Sequence, residues 1–225
     1  MRGEADIWAV VPVKETIAAK ARLADAVPRH LRAGLALAML EDVLASLVQA
    51  RGLAGIAVVT IDPAARDLAR RFACRILTDD AGGGHTASVA AAARTLADEG
   101  RTGMLQLPAD IPLVRADEIS LLLALRRPAP SFTVTPSHDD FGSNAVLVCP
   151  PTAVPLSFGD DSFYPHLRAA QTRGIKPLIV RQHGISLDID RPQDIAAFAR
   201  LGSRTLTQAF LERQGLVRRA DGAVA

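Results

Sequence analysis

Short aliphatic runs alternate along this chain with longer stretches of helical spacing, and that alternation leaves few folds open. Residues 7–13, 55–61, 74–77 and 103–107 each read as buried strands. Between them, apolar positions recur every three or four residues, which predicts helices over 28–50, 63–72 and 86–99. The first of these carries Leu31, Leu35, Met39, Val43 and Leu47 four apart. Pro63 opens the second at a position where its missing N–H costs nothing. Gly100 is placed to close the third. The pattern continues with a helix over 116–126, strands over 132–136 and 145–149, and a helix over 162–173 with Gly174 as its cap. A strand over 177–180, an extended piece over 185–189 and a helix from Pro192 to about Leu201 follow. Strand–helix–strand units with apolar strands predict an α/β domain built on a mostly parallel sheet. No repeat or linker interrupts residues 1–225, so one domain is expected, with the polar residues 216–225 frayed.

Composition narrows the classes. Hydrophobic residues make up 49% and charged residues 22%, which excludes a disordered chain. The 26 basic and 24 acidic residues leave a formal charge of +2, which argues against a general nucleic-acid binder. No apolar stretch approaches the roughly 20 residues of a membrane helix. The polar N-terminus lacks a signal-peptide core. Cys74 and Cys149 have no C-x-x-C partner and read as buried free thiols, so a reducing, cytoplasmic setting is expected.

In a parallel α/β sheet, ligands gather at the carboxyl ends of the strands, so the loops there carry the functional signal. The loop after the first strand holds Lys14, Lys20 and Arg22. The chain has only three lysines among its 26 basic residues, and two fall here. A flexible point charge suits a polyphosphate; a solvated basic loop is the plainer alternative. The loop 77–86 contains Gly82, Gly83 and Gly84 and runs into a helix N-terminus, where a backbone can approach an anion closely. It is also an ordinary connection. After the fourth strand, Pro108-Ala-Asp110 holds a carboxylate rigidly between prolines, as a hard cation such as Mg²⁺ would use together with phosphate oxygens. Asp188 and Asp190 alternate on an extended segment and so share a face. Two like charges there repel unless a cation lies between them. A turn-and-cap role remains open for all three aspartates. The polar segments 139–144 and 157–166 could grip a small phosphorylated acid. His166 reads as a helix-face histidine with a local partner, and His30, His138 and His183 carry no functional signal.

With these loops in place, the chain resembles the phosphoacid guanylyltransferases of coenzyme F(420) biosynthesis, within the wider MobA-like nucleotidyltransferase group. The matching features are Val11-Pro-Val-Lys14 with Lys20-Ala-Arg-Leu23, Ala38-Met-Leu-Glu-Asp-Val-Leu44, and Pro108-Ala-Asp-Ile-Pro-Leu113. They continue with Gly142-Ser-Asn-Ala145, Phe158-Gly-Asp-Asp-Ser-Phe163 with His166, and Leu187-Asp-Ile-Asp-Arg-Pro192 with Asp194. The resemblance runs in collinear order over roughly residues 6 to 200. It implies a Rossmann-like, three-layer domain of the nucleotide-diphospho-sugar-transferase type. It also implies GMP transfer from GTP to a small phosphorylated three-carbon acid (phosphoenolpyruvate, 2-phospholactate or 3-phosphoglycerate), with release of pyrophosphate. By the same resemblance Asp110, Asp188 and Asp190 bind Mg²⁺. Ser143, Asn144, Gly159 and Ser162 hold the phosphoacid. Pro12, Val13, Lys20, Gly82, Gly83 and His85 meet the nucleotide, and Lys14, Lys20, Arg22 and Asp110 serve the chemistry. Two positions depart from the family pattern: His85-Thr86 stands where Leu-Asn is usual, and Ala109 replaces a glycine.

Two rivals follow from the same residues. A molybdenum-cofactor or sugar-phosphate nucleotidyltransferase would carry a glycine-rich first loop, and residues 12–23 contain no glycine. A catalytically silent nucleotide-binding module would have no need for Asp110, Asp188 and Asp190 together. The sequence gives no clear oligomeric signal and leaves a homodimer open.

Overall fold

The computed structural model describes residues 6–13, 21–78, 84–159 and 161–218. Lys14, Lys20, Gly82 and Gly83 therefore lie outside the described residues, as do residues 219–225.

Among the described residues, seven strands form one sheet in the order β3-β2-β1-β4-β6-β5-β7. They are β1 (Ile7–Pro12), β2 (Gly55–Val59), β3 (Arg75–Leu77), β4 (Gly103–Gln106), β5 (Ser131–Pro136), β6 (Ser143–Cys149) and β7 (Leu178–Ile179). Pairings are parallel except at β6, which runs antiparallel to both β4 and β5. The mostly parallel α/β sheet expected from the sequence is thus present. The reversal of β6 brings its first residues, Ser143 and Asn144, to the same sheet edge as the last residues of β1 and β4.

Among the described residues, eight α-helices accompany the sheet: α1 (Arg29–Gln49), α2 (Pro63–Arg71), α3 (Gly84–Asp98), α4 (Ala116–Ala124), α5 (Phe163–Thr172), α6 (His183–Ser186), α7 (Pro192–Arg200) and α8 (Leu206–Arg213). The pleat sends alternate strand residues to opposite faces. Ile7, Ala9, Val11, Leu105 and Leu147 pack with Leu40, Val43, Leu44 and Leu47 of α1, and with residues of α2 and α4. On the other face, Val10, Ala57, Val59 and Met104 meet Val89, Ala92, Ala93 and Leu96 of α3. Phe132, Val134, Val146 and Val148 meet Phe163 and Ala170 of α5. Helices on both faces of the sheet make three layers. Cys74 and Cys149 are buried and unpaired. Among the described residues, no helix is long and apolar enough to cross a membrane.

Two elements differ from the sequence expectation. Residues 183–186 are a helical turn rather than the start of an extended piece, because Gly184 is wedged against the α4 region. Its N–H donates to Glu118 Oε1 at 2.8 Å, and any Cβ there would overlap Glu118 and the Leu113 carbonyl. The sequence reading also passed over α8. Thr205 caps it by accepting from Gln208 N–H, and buried Asp42 of α1 accepts from the N–H groups of Leu206 and Thr207 and from the Thr207 hydroxyl. Helix α8 covers one side of α1, and Leu216 and Val217 pack onto that cluster instead of fraying.

Candidate active site

The strand order makes the site. The chain leaves β1 toward β2 and β3, then returns to lay β4 on the other side of β1. The crevice outside that switch point is where open α/β sheets bind ligands. A cleft of about 790 Å³ opens there. Pro12 and Val13 at the end of β1 line it, as do Gln106, Pro108 and Asp110 after β4. Every candidate site residue within the described part of the chain contributes to this one cleft.

One wall is acidic. Residues 187–190 run extended beside the Asp110 turn, joined by Ile189 N–H to the Asp110 carbonyl at 2.9 Å. Leu187 and Ile189 are buried in the apolar cluster beneath, so Asp188 and Asp190 face the cleft, as the alternation predicted. Burial first, then the negative charge of Asp110 and the weaker influence of Asp190, push the Asp188 carboxyl up to about 6. Asn144 opposes this by donating to Asp188 Oδ1 at 3.0 Å. The same amide group also faces the carbonyls of Ile185 and Ser186, each at 3.0 Å. Asn144 therefore lines the cleft while its hydrogens hold the aspartate segment. Asp194 steadies the far end by accepting from the N–H groups of Asp190 and Arg191. Arg22 lies 3.9 Å from Asp190.

Three carboxylates make an oxygen donor set that fits Mg²⁺. Among the described residues, no three acidic, histidine or cysteine side chains converge into a ready cage. Mg²⁺ does not require one, because it binds through one or two carboxylates and completes its shell with phosphate oxygens and water.

The opposite wall is rich in donors, and Asp139, which also lines the cleft, accepts from the Ser137 hydroxyl and the Phe141 N–H. Ser143 opens β6, and its N–H donates to Ser162 Oγ at 3.0 Å. Phe141 accepts through its carbonyl from Ser162 N–H and Phe163 N–H, which locks the start of α5 against the turn before β6. A Cβ on Gly159 would meet no atom within 4 Å among the described residues, so the backbone there is open to close approach. His85 and Thr86 begin α3 on this side. Thr86 Oγ1 accepts from Phe158 N–H at 2.9 Å, and the His85 ring meets Phe158 edge-on at 4.7 Å. The His85-Thr86 departure thus ties the start of α3 to the 157–159 loop.

Sequence reasoning missed several contributors. Gln106, Ser137 and His138 all line the cleft. His138 is held by its N–H to the Ser186 carbonyl at 2.8 Å, a contact between segments 48 residues apart that no local pattern encodes. His166 has a larger part than a helix-face histidine would. It is 1% exposed, behind Ser143, with its Nδ1 2.9 Å from Ser143 Oγ. Burial pushes its pKa down from 6.5 to about 4. The fold therefore holds it neutral, whereas the unfolded chain charges it below pH 6.5. The stability this contributes is complete above that pH and is lost as pH falls toward 4. Between pH 7.5 and 5 the wild type is expected to lose about 2 kcal/mol more than His166→Asn, read from urea unfolding at both pH values. Equal losses would show that His166 is not held neutral.

Comparison with known proteins identifies the family and the fold. A model of the CofC-like guanylyl transferases matches residues 7–222. A phosphoenolpyruvate guanylyltransferase of Rubrobacter xylanophilus is 37% identical over 84% of this chain and 92% of its own length. A 3-phospho-D-glycerate guanylyltransferase of Colwellia psychrerythraea is 32% identical over 86% and 91%. The crystal structure of a candidate nucleotide-diphospho-sugar transferase from Desulfovibrio desulfuricans superposes with a TM-score of 0.76, covering 95% of this chain and 97% of that one at 18% identity. The last likeness concerns the fold, and it is the three-layer type the sequence implied. Because the family match spans nearly the whole chain and two relatives exceed 30% identity over most of their length, the protein belongs to the CofC-like guanylyl transferases and is a nucleotidyltransferase.

Proposed function

We propose that the protein transfers GMP from GTP to the phosphate of a small phosphorylated three-carbon acid and releases pyrophosphate, as a step in making coenzyme F(420). The observation that carries this reading is the pairing of walls: three carboxylates face a donor-rich cradle of Ser143, Gly159 and Ser162 across one cleft. One wall suits a metal-bound polyphosphate, and the other a small anion.

A phosphate oxygen of the acid attacks the α-phosphorus of GTP. A new P–O bond forms, the bond to the bridging oxygen breaks, and pyrophosphate carries that electron pair away. The acid's phosphate is already a nucleophile at neutral pH, so no nucleophilic triad is needed. The work is positioning and charge neutralisation. Asp110, Asp188 and Asp190 would hold Mg²⁺, which when bound neutralises charge on the α-phosphate and on the departing pyrophosphate. Arg22 stands beside this wall through Asp190, and Lys14 and Lys20 would add positive charge from the loop after β1. Pro12, Val13 and His85 would flank the nucleotide together with Gly82 and Gly83. Asn144 supports the acid site indirectly, through Asp188. The reaction needs no membrane or nucleic acid, and a cytoplasmic location fits its soluble substrates.

A matrix assay tests the reading. The protein is incubated with Mg²⁺, with each of GTP, ATP, CTP and UTP, and with each of phosphoenolpyruvate, 2-phospholactate and 3-phosphoglycerate. Pyrophosphate and product mass are followed. GTP with one acid is expected to dominate, and absence of any nucleotidyl–acid product would overturn the proposal. In the productive pair, Lys20→Ala should lower turnover about 100-fold and Lys176→Ala should leave it unchanged.

A further inference from the structure

The hydroxyls of Ser143 and Ser162 face the cleft, and what stands behind them decides whether they donate or accept. Ser157 N–H donates to His166 Nε2 at 3.0 Å. A backbone N–H can only donate, so Nε2 carries the lone pair and the proton of the neutral ring sits on Nδ1. That N–H then donates to Ser143 Oγ at 2.9 Å. Ser162 Oγ in turn accepts from Ser143 N–H at 3.0 Å. Both hydroxyls are therefore acceptors toward the protein. Among the described residues, neither gives its proton to a protein acceptor. The two protons remain available to the cleft.

The ring is held in place from several sides. Phe158 meets it edge-on with centroids 5.0 Å apart, Phe132 lies at 6.3 Å, and Ser162 accepts through its carbonyl from the His166 N–H. Among the described residues, no carboxylate forms an ion pair with its ring, and the ring's two polar partners are the neutral groups of Ser157 and Ser143. The ring is thus a directional dipole rather than a general base.

We propose that His166 is a positioning residue that fixes the donor polarity of the acid site: its Nδ1–H occupies a lone pair of Ser143 and turns the serine proton toward an acceptor-only group such as a phosphate or carboxylate. This rests on the functional reading above and adds a specificity element to it. A ligand group that is itself a donor would meet two hydroxyls already oriented to donate. The effect reaches substrate only through Ser143, so the two residues act as one unit.

The experiment has two arms. In the first, nitrogen NMR of histidine-labelled wild-type protein at pH 7.5 reports the His166 tautomer without any substitution. The Nδ1–H form is expected, and an Nε2–H or charged ring overturns the proposal. In the second, KM values for phosphoenolpyruvate and GTP are compared in folded variants. His166→Gln places its amide near Nε2 and cannot serve Ser143, so it is expected to raise the KM for the acid about tenfold or more while the KM for GTP stays within about twofold. His166→Asn places an amide near Nδ1 and should restore most of the acid affinity. In a Ser143→Ala background, His166→Gln should add nothing further. Equal shifts in both KM values, no rescue by Asn, or full additivity in the double variant would overturn the proposal. A wild-type protein that turns over none of the three acids would instead strike the functional reading, while the NMR arm still decides the polarity of the site.

Discussion

Replacing Asp110 by Asn should lower pyrophosphate release about 100-fold or more while the fold is retained. The substitution keeps the size of the side chain and removes one carboxylate from the wall that also carries Asp188 and Asp190. That charge is felt along the wall, because it helps to push Asp188 up to about 6. Relieving a like-charge contact favours the folded state, so the variant should melt at or above the wild-type temperature in the absence of divalent ions. Addition of Mg²⁺ with GTP should raise the melting temperature of the wild type and leave that of Asp110→Asn nearly unmoved. The second measurement reads binding independently of turnover. Unchanged turnover, or an equal thermal shift in both proteins, would remove Asp110 from the metal site.

Gly184→Ala should destabilise the protein by about 2–3 kcal/mol and lower activity per folded molecule about 10- to 100-fold. The added methyl would overlap the Leu113 carbonyl and the Glu118 carboxylate, which belong to backbone and to a buried side chain that cannot step aside. Glu118 is already committed to two N–H groups, those of Arg115 and Gly184. Four residues downstream lies Asp188, so a shift of this turn moves the acidic wall. Gly159→Ala provides the contrast, since its methyl would enter open space and the variant should unfold like wild type. Urea unfolding of the two variants checks the difference. Wild-type stability in Gly184→Ala would mean that the turn has slack the packing does not show.

The parallel strands near β1 were legible because each carries a short apolar run between helices with periodic faces. The Asp188 and Asp190 pair was legible for a similar reason: alternation with Leu187 and Ile189 is a local property of an extended segment. The turn at 183–186 was not. It depends on Glu118, 66 residues earlier, whose carboxylate takes the Gly184 N–H. Helix α8 had a local signal in Thr205 and Gln208 that was passed over, and its other anchor, Asp42, lies 164 residues away. The scarcity of lysine directed attention to the loop after β1, though Lys14 and Lys20 lie outside the described residues.

By itself, the sequence determined the α/β class, the family and many of the residues that meet in the cleft, because these follow from local periodicity and collinear motifs. Tertiary structure decided their partners. Reversal of β6 brings Ser143 to the ligand edge, Asn144 donates to Asp188, and His166 stands behind Ser143 with its proton assigned by a backbone N–H from the 157–159 loop. Donor direction is a property of the partner on the far side of each group. Such partners come from distant segments, so only the folded chain specifies them.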